Sequence, residues 1–297
     1  MSVLKTTVRK KVILIDLNQT MLSNLMSQLG NHTNAQVEEN MFRHMVLNAI
    51  RSYKQKFGSE YGEMIIACDN TNYWRKKIFP YYKANRKKAI AASEMNWKDI
   101  FECMNKIRAE LKEFFPYRVI DVDSAEADDI IGTLVFEFGL NINTGEKILI
   151  LSGDKDFIQL HTYANVKQFD PVRKKWITND QPETYLKEHI MKGDASDGIP
   201  NILSSDNCFV VGERQRPLTK KKIDIYLKMN PLNFGNTVIE RNYSRNAQLI
   251  DLNNIPKEIK EKVMEQYKNQ EGRDRSKLIN YFMVHKLKNL TEYISEF

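Results

Sequence analysis

The sequence has few cysteines and no long hydrophobic run. Its three cysteines, Cys68, Cys103 and Cys208, are far apart and odd in number, which fits neither a zinc cluster nor a disulfide framework. No stretch approaches the ~18 apolar residues of a membrane span, and the apolar segment after the basic start is too short for a secretory signal. We therefore expect a protein of the reducing cytoplasm that has no membrane partner.

Histidine is also scarce, which limits the kinds of metal site that the sequence can form. The five histidines are scattered along the chain, and no two have the spacing of a metal-ligand pair. They are His32, His44, His161, His189 and His285. A zinc site is therefore not expected, and any metal site would have to be built from oxygen ligands.

Positive charge is in surplus, and it is concentrated in three places. The net charge is +7 and the isoelectric point is about 9.0. Bases cluster in residues 73–88, 172–175 and 213–222. This distribution favours a polyanionic partner, although a basic solvated surface explains the charge alone equally well.

Short apolar runs alternate with segments of helical spacing in the first two thirds of the chain. The predicted strands are Val12–Leu17, Met64–Cys68, Arg118–Val122, Ile148–Leu151 and Val166–Phe169. This alternation predicts an α/β domain over residues 1–185, with a mainly parallel central sheet flanked by helices. Turn formers in 193–207 and helices interrupted by prolines predict a smaller helical C-terminal region over 186–297.

Acidic residues recur where the predicted strands end. Asp16, Asp69 and the pair Asp154 and Asp156 each follow a strand, and Glu126, Asp128 and Asp129 open the helix after another. A single such acid is most simply a helix N-cap, but several together repel one another unless a cation neutralises them. Oxygen ligands select Mg²⁺ or Mn²⁺, and two such ions ~3.5–4 Å apart can drive phosphodiester hydrolysis.

Five motifs in a fixed order resemble the flap-endonuclease/5′-nuclease family, and most closely its phage-encoded ribonuclease H members. They are "LIDLNQ" (14–19), "CDNTNYWRKKIFPYYKANR" (68–86), "DVDSAEADD" (121–129), "ILSGDKDFIQL" (150–160) and "GDASDGIPN" (193–201). The resemblance runs over nearly the whole chain. It implies a 5′-nuclease fold, related to PIN domains, and a helix-hairpin-helix-like element in the C-terminal region.

The resemblance also implies a two-metal site. A first Mg²⁺ would be served by Asp16, Asp69, Glu126, Asp128 and Asp154, and a second by Asp156, Asp194 and Asp197, with Mn²⁺ able to substitute. Residues i and i+3 share a helix face, so Glu126 can act with Asp128 only if it precedes the first full helical turn. Asp129 is the weaker ligand candidate, since a first-turn acid also suits the helix dipole.

Residues 70–97 resemble the arch or bridge that crosses the active site in this family. The resemblance makes Lys83 and Arg86 catalytic clamps on the scissile phosphate, Tyr82 a base-stacking residue and Arg75 a lesser phosphate contact. For Trp74 and Phe79, burial in the core is an equal alternative to DNA contact.

The C-terminal region departs from the family pattern. "LSSDNCFVVGERQRPLTKKK" replaces the usual Gly-rich turn, which puts the K⁺ site of many relatives in doubt. Thr219 is a candidate cap for a helix whose Lys220 and Lys221 either bind DNA phosphate or only add surface charge. The ending "YISEF" either docks a replication partner such as a sliding clamp or packs on its own domain.

The expected function is that of a Mg²⁺-dependent, structure-specific 5′ to 3′ nuclease. It would act as a monomer on flaps, nicks, forks and RNA·DNA hybrids, in the host cytoplasm if phage-encoded. Its role would be to remove RNA primers and adjacent DNA in lagging-strand replication, beside a sliding clamp and a single-stranded-DNA-binding protein.

Three alternatives remain open. A haloacid-dehalogenase-like phosphatase would need an aspartate where Asn18 stands, because that residue serves as the general acid. Toxin-type ribonucleases share the strand-end acids but are usually shorter and lack the 73–88 stretch. A non-catalytic DNA-binding accessory protein would share the fold without the activity.

Overall fold

The computed structural model of the protein describes residues 11–29, 37–139 and 146–297. The basic residues 1–10 and His32 lie outside these ranges. The strands are β1 Lys11–Asp16, β2 Glu63–Ala67, β3 Arg118–Ile120, β4 Lys147–Leu151, β5 Val166–Asp170 and β6 Lys175–Ile177. The helices before β5 are α1 Leu17–Leu29, α2 Glu39–Tyr61, α3 Arg75–Ile78, α4 Ala84–Ala91, α5 Trp97–Phe114 and α6 Ala127–Gly139.

After β4, the regular elements of the described chain are helices apart from β5 and β6. These helices are α7 Pro182–Lys192, α8 Cys208–Val211, α9 Lys220–Leu227, α10 Thr237–Ile250, α11 Lys257–Asn269, α12 Leu278–Val284 and α13 Lys288–Thr291. Short 3₁₀ segments occupy Lys155–Thr162, Pro231–Asn233, Leu252–Asn254 and Ile294–Glu296. The prediction of a helical C-terminal region is thus confirmed.

The six strands form one sheet in the order β3-β2-β1-β4-β5-β6. The first five are parallel, and β6 pairs antiparallel with β5. The strands β1, β2 and β4 are buried almost throughout because helices cover both faces, as their continuous apolar sequences predict. The prediction of a mainly parallel sheet flanked by helices is confirmed.

Two hydrophobic cores lie on opposite faces of the sheet. Alternate residues of β1 show the division, since Ile13 and Ile15 join one core while Val12 and Leu14 join the other. The first core contains α2 and α5 together with residues 278–297, and the second contains α6 and α11. The last helices therefore complete the layers around the sheet. The predicted division at residue 185 falls inside α7 and stays a prediction.

A third core joins residues 70–97, the predicted arch, to the C-terminal helices. Phe79 and Tyr82 pack there with Ile190, Ile202 and Tyr243. Trp74 is 6% exposed and Phe79 is 3% exposed, so both belong to the interior, which was one of the two alternatives. None of the helices in the described ranges has the length and apolar character needed to cross a bilayer.

Candidate active site

The predicted acids lie where the strand order of the sheet reverses. The strands β1 and β4 are neighbours, and the chain leaves them toward opposite halves of the sheet. Asp16 ends β1, and Asp154 and Asp156 follow β4 by a few residues. In open α/β sheets this crevice at the carboxyl ends of the strands is the usual ligand site.

Three of these acids also act as caps. The Oδ1 atoms accept backbone hydrogen bonds as follows: Asp16 from Gln19 at 2.9 Å, Asp69 from Ala127 at 2.7 Å, and Asp154 from Asp156 at 2.9 Å. Capping and clustering are therefore compatible, because a carboxylate held through one oxygen is fixed in orientation while its second oxygen can serve another partner.

The acids are close enough to perturb one another's ionisation. Burial, followed by the charges of Asp69 and Asp154, raises the pKa of Asp16 to about 7. Burial and then Asp156 raise the pKa of Asp154 to about 6. The pKa of Asp128 is also raised well above its ordinary value, by burial and then by Asp154 and Asp156. Unneutralised carboxylates have thus converged from separate parts of the sequence, and such a donor set fits hard divalent cations.

Glu126 lies just before α6, as its predicted role requires. Its backbone N–H donates to Asp129 Oδ2 at 2.9 Å, and its carboxylate is buried among cationic groups. Arg75 Nη1 lies 2.9 Å from Glu126 Oε2, and Lys83 Nζ contacts Glu126 Oε1. Burial alone would raise the pKa of Glu126, but Lys83 and Arg75 outweigh it and lower the pKa overall.

Asp197, in the C-terminal region, forms ion pairs and a backbone hydrogen bond with residues of the predicted arch. Arg86 Nη2 lies 2.6 Å from Asp197 Oδ1, and Lys83 Nζ lies 3.5 Å from Asp197 Oδ2. The backbone of Lys83 adopts a left-handed conformation (φ 56°), and its N–H donates to Asp197 O at 2.7 Å. The two predicted clamps, Lys83 and Arg86, are therefore held against the acid cluster.

Two predicted nucleic-acid contacts are instead buried in the protein. Arg75 is 4% exposed, and it pairs with Glu126 and Asp129 and donates to Leu249 O. Tyr82 is 3% exposed, and its hydroxyl lies 2.8 Å from Glu126 Oε2 and 2.9 Å from Asp197 Oδ2. Phosphate contact by Arg75 and base stacking by Tyr82 are therefore corrected to positioning roles, because both side chains are already used inside the protein.

Asp129 has a structural place beside Arg75. It is fully buried, and Trp74 Nε1 donates to its Oδ2 at 3.0 Å. Together with the Glu126 N–H bond, this makes Asp129 the acid that fixes the start of α6. This buried, hydrogen-bonded environment agrees with the expectation that Asp129 is the weaker candidate for a metal ligand.

Sequence reasoning missed His189. This residue lies in the last turn of α7, and its Nε2 is 2.9 Å from Asp156 Oδ1. Burial disfavours the charged imidazole, but Asp156, with Asp194 and Asp154, raises the pKa of His189 overall. Spacing between histidines could not reveal it, because its neighbours in the site are aspartates.

Lys220 and Lys221 lie apart from these contacts. Both are exposed in the first turn of α9, where Thr219 Oγ1 accepts a hydrogen bond from Lys222 N at 3.4 Å, so the predicted cap is present. In the described part of the chain, no ion pair joins either lysine to the acid cluster. A contact of these lysines with DNA stays a prediction.

The ending "YISEF" packs on its own domain. Phe297 is 1% exposed and packs against Phe115 and Phe282, while Arg51 Nη1 pairs with Glu296 Oε2 at 2.9 Å. Of the two interpretations of this segment, the structure favours internal packing. A clamp contact through Phe297 would require the ring to leave the core.

Asn18 is unsuited to the phosphatase mechanism. Its Nδ2 donates to Asp69 Oδ2 at 2.8 Å, so the side chain is an amide held by a carboxylate at the place where that enzyme class needs an acid. The phosphatase alternative therefore has no general acid here.

Two family descriptions together cover the described chain. Residues 11–191 match "5′-3′ exonuclease, N-terminal resolvase-like domain", and residues 180–297 match "T4 RNase H, C terminal". Ribonuclease H of Enterobacteria phage T4 is 34% identical over 97% of this chain and 96% of that protein. Flap endonuclease Xni of Shewanella pealeana is 31% identical over 43% of this chain and 48% of that protein.

Solved structures share the fold at low sequence identity. The T5 D15 protein crystallised with metal ions has a TM-score of 0.62 and 15% identity, covering 88% of this chain and 99% of that one. The T5 D15 flap endonuclease complex with DNA and metal ions has a TM-score of 0.60 and 18% identity, covering 88% and 99%. By its sequence and its fold, the chain belongs to the 5′-3′ exonuclease family of phosphodiester hydrolases, with a C-terminal domain of the T4 RNase H type.

Proposed function

We propose that the protein is a Mg²⁺-dependent, structure-specific 5′ to 3′ nuclease with ribonuclease H, 5′-exonuclease and flap-endonuclease activity. The observation that carries this proposal is the convergence of carboxylates from separate segments beside Lys83 and Arg86. The acids fit hard divalent cations, and the two basic side chains suit a phosphodiester.

The proposed cation positions use two sets of acids. Asp16, Asp69, Glu126, Asp128 and Asp154 would hold one Mg²⁺, and Asp156, Asp194 and Asp197 a second, with Mn²⁺ as a substitute. When bound, the ions supply Lewis-acid activation of water and stabilisation of the leaving oxygen. Glu126 and Asp197 already pair with Lys83, so an ion at these oxygens competes with that ammonium group.

The protein's own groups have defined tasks in this proposal. Arg75 and Tyr82 hold Glu126 in place from inside the fold. Lys83 and Arg86 are the groups proposed to bind the scissile phosphate, at the edge where the arch meets Asp197. Lys220 and Lys221 are proposed to contact duplex backbone farther from the cut.

The proposed setting is lagging-strand replication in the cytoplasm. If the protein is phage-encoded, this is the cytoplasm of the host cell. The substrates would be RNA primers and adjacent DNA at flaps, nicks and forks. The proposed partners are a sliding clamp and a single-stranded-DNA-binding protein, with the enzyme acting as a monomer. The full-length likeness to a ribonuclease H and the partial likeness to a flap endonuclease support this setting.

One experiment tests the activity directly. End-labelled flap, nicked-duplex and RNA·DNA hybrid substrates are incubated with the protein during a Mg²⁺ titration, and product lengths are mapped. We expect products released from the 5′ side, with 5′-phosphate ends, only when a divalent ion is present. Duplex binding without cleavage at any Mg²⁺ concentration would support the accessory-protein alternative instead.

A further inference from the structure

The end of α7 places an imidazole beside two of the proposed metal ligands. His189 lies in the last turn of this helix, which ends at Gly193 with φ 66°. A Cβ on Gly193 would come within 2.4 Å of Ile199 O and 2.5 Å of Pro200 O, so only glycine fits this turn. The turn brings Asp194 back beside His189.

The three side chains are spaced like ligands of one ion. One ligand atom from each of Asp156, His189 and Asp194 lies within 4.8 Å of the other two. The His189 ring stacks on Tyr185 at 5.9 Å between centroids and 13° between planes, which fixes the ring plane. The imidazole therefore needs no rearrangement to present Nε2 to the two carboxylates.

Nε2 of His189 is buried and has no aligned hydrogen bond among the described residues. It is 2.9 Å from Asp156 Oδ1, which is close enough for an ion pair but not in line for an N–H···O bond. The hydrogen bonds described to the Asp194 carboxylate, from Ser196 and Asp197, all go to Oδ1. A buried nitrogen and a carboxylate with one unoccupied oxygen thus face the same small space.

Among the described residues, Lys83 and Arg86 form no ion pair with Asp156 or Asp194. Their ion pairs go to Glu126 and Asp197, whereas the ion-pair partner of Asp156 in the described part of the chain is His189. The charge of Asp156 and Asp194 is therefore balanced either by a protonated His189 or by a cation that His189 helps to bind.

We propose that His189 is itself a ligand of the second ion, through Nε2, together with Asp156 and Asp194. Mg²⁺ can still occupy this position through the carboxylates and its own waters, but a nitrogen donor makes first-row transition ions such as Mn²⁺ or Co²⁺ bind more tightly than Mg²⁺. This inference rests on the proposed function, since it specifies the metal preference of one of that enzyme's two cation positions.

Pulsed electron paramagnetic resonance of the Mn²⁺-loaded full chain tests the ligand directly. The spin-echo modulation from ¹⁴N reports an imidazole nitrogen bonded to Mn²⁺, whether or not the protein cleaves DNA. We expect this modulation in the wild-type protein and in His44→Gln, a control on the distant helix α2, and its loss in His189→Gln. Bound Mn²⁺ without ¹⁴N modulation in the wild type would overturn the proposal.

Metal affinity separates a ligand from a positioning residue. In titrations with Mn²⁺ or Mg²⁺ alone, His189→Gln should weaken Mn²⁺ binding by at least about tenfold, since even outer-shell partners contribute about 10–100-fold. Mg²⁺ binding should change much less. Equal losses for both ions would mean that His189 only orients Asp156, and the inference would be wrong. If the wild type binds neither ion, the proposed function fails as well, which distinguishes the two failures.

Discussion

Lys83 and Asp197 are joined twice, although 114 positions separate them in the sequence. The Lys83 N–H donates to Asp197 O at 2.7 Å, and Lys83 Nζ lies 3.5 Å from Asp197 Oδ2. The backbone bond holds the arch at the acid cluster independently of the lysine side chain. Substitution of that side chain therefore tests its chemistry with little effect on the position of the arch.

Lys83→Ala should lower cleavage far more than duplex affinity. Loss of one preorganised cationic or donor group at the reacting phosphate costs about 10²–10³-fold in rate. Single-turnover cleavage of a flap substrate and equilibrium binding to the same duplex measure the two quantities. Lys87→Ala, an exposed lysine in the next helical turn, is the matched control. A Lys83→Ala variant that cleaves like Lys87→Ala would remove Lys83 from the mechanism.

Asp154→Asn should abolish turnover while duplex binding is kept or strengthened. The substitution removes one negative charge beside the bound phosphate, and it also removes a proposed ligand of the first cation position. Loss of a metal contribution of several kcal/mol corresponds to about a thousandfold or more in rate. Asp123→Asn, an exposed acid after β3, should leave both quantities unchanged. Weakened duplex binding in Asp154→Asn would contradict the charge argument.

The protein without divalent ions should be more stable at mildly acidic pH than at pH 8. Asp16 has its pKa raised to about 7 and Asp154 to about 6, against an ordinary value of 3.8. Between pH 4 and 7 the native state thus binds more protons than the unfolded state, and stability falls as pH rises. The raised pKa of His189 acts in the same direction at higher pH. Thermal melts in chelator at pH 6 and pH 8 measure this difference.

Millimolar Mg²⁺ should reverse that loss of stability. Ions that bind only the native state stabilise it, and carboxylates bind them best when deprotonated. The rise in melting temperature should therefore be larger at pH 8 than at pH 6. Melting curves that do not move with Mg²⁺ at either pH would count against a preformed cation site.

Arg75→Ala should destabilise the fold and not merely weaken DNA binding. Its removal leaves Glu126 and Asp129 buried without their common partner, and breaking a buried ion pair in this way costs about 3–5 kcal/mol. Denaturant unfolding measures the change. Lys77→Ala in the same short helix should have almost no effect, since Lys77 is exposed. A stable Arg75→Ala variant with reduced duplex affinity would restore the phosphate-contact interpretation.

Phe297→Ala should also destabilise the protein, by about 3–5 kcal/mol, as is usual for loss of a buried phenylalanine. Its ring packs with Phe115 and Phe282 in the core that covers one face of the sheet. Ile279→Ala, at a position on α12 that is 56% exposed, is the control. Equal stability of the two variants would mean that the final residue is not anchored in the core.

The parts of the fold that the sequence predicts are those set by local patterns. The buried strands β1, β2 and β4 have continuous apolar sequences, and these sequences predict the edge of the sheet at which the acids after them lie. The short strand β6 was not predicted, because its sequence "KWI" is largely exposed and has no apolar pattern.

The sequence misled where tertiary contacts decide the role of a side chain. The mixture of bases and aromatics around Arg75 and Tyr82 is typical of a nucleic-acid surface, yet both side chains are bound by Glu126, 51 and 44 residues away. His189 was overlooked for a related reason, since its partner Asp156 is 33 positions away and belongs to another element. Such pairings are visible only once the chain is folded.

The acid cluster draws on segments that extend from Asp16 to Asp197, and so no early portion of the polypeptide contains a complete site. The five acids proposed for the first cation position are all present once Asp154 has been synthesised, whereas Asp194 and Asp197 of the second position follow only after α7. Both proposed cation positions can therefore be completed only after the chain has passed α7, and a nascent chain that stops before this helix lacks two of the eight proposed ligands.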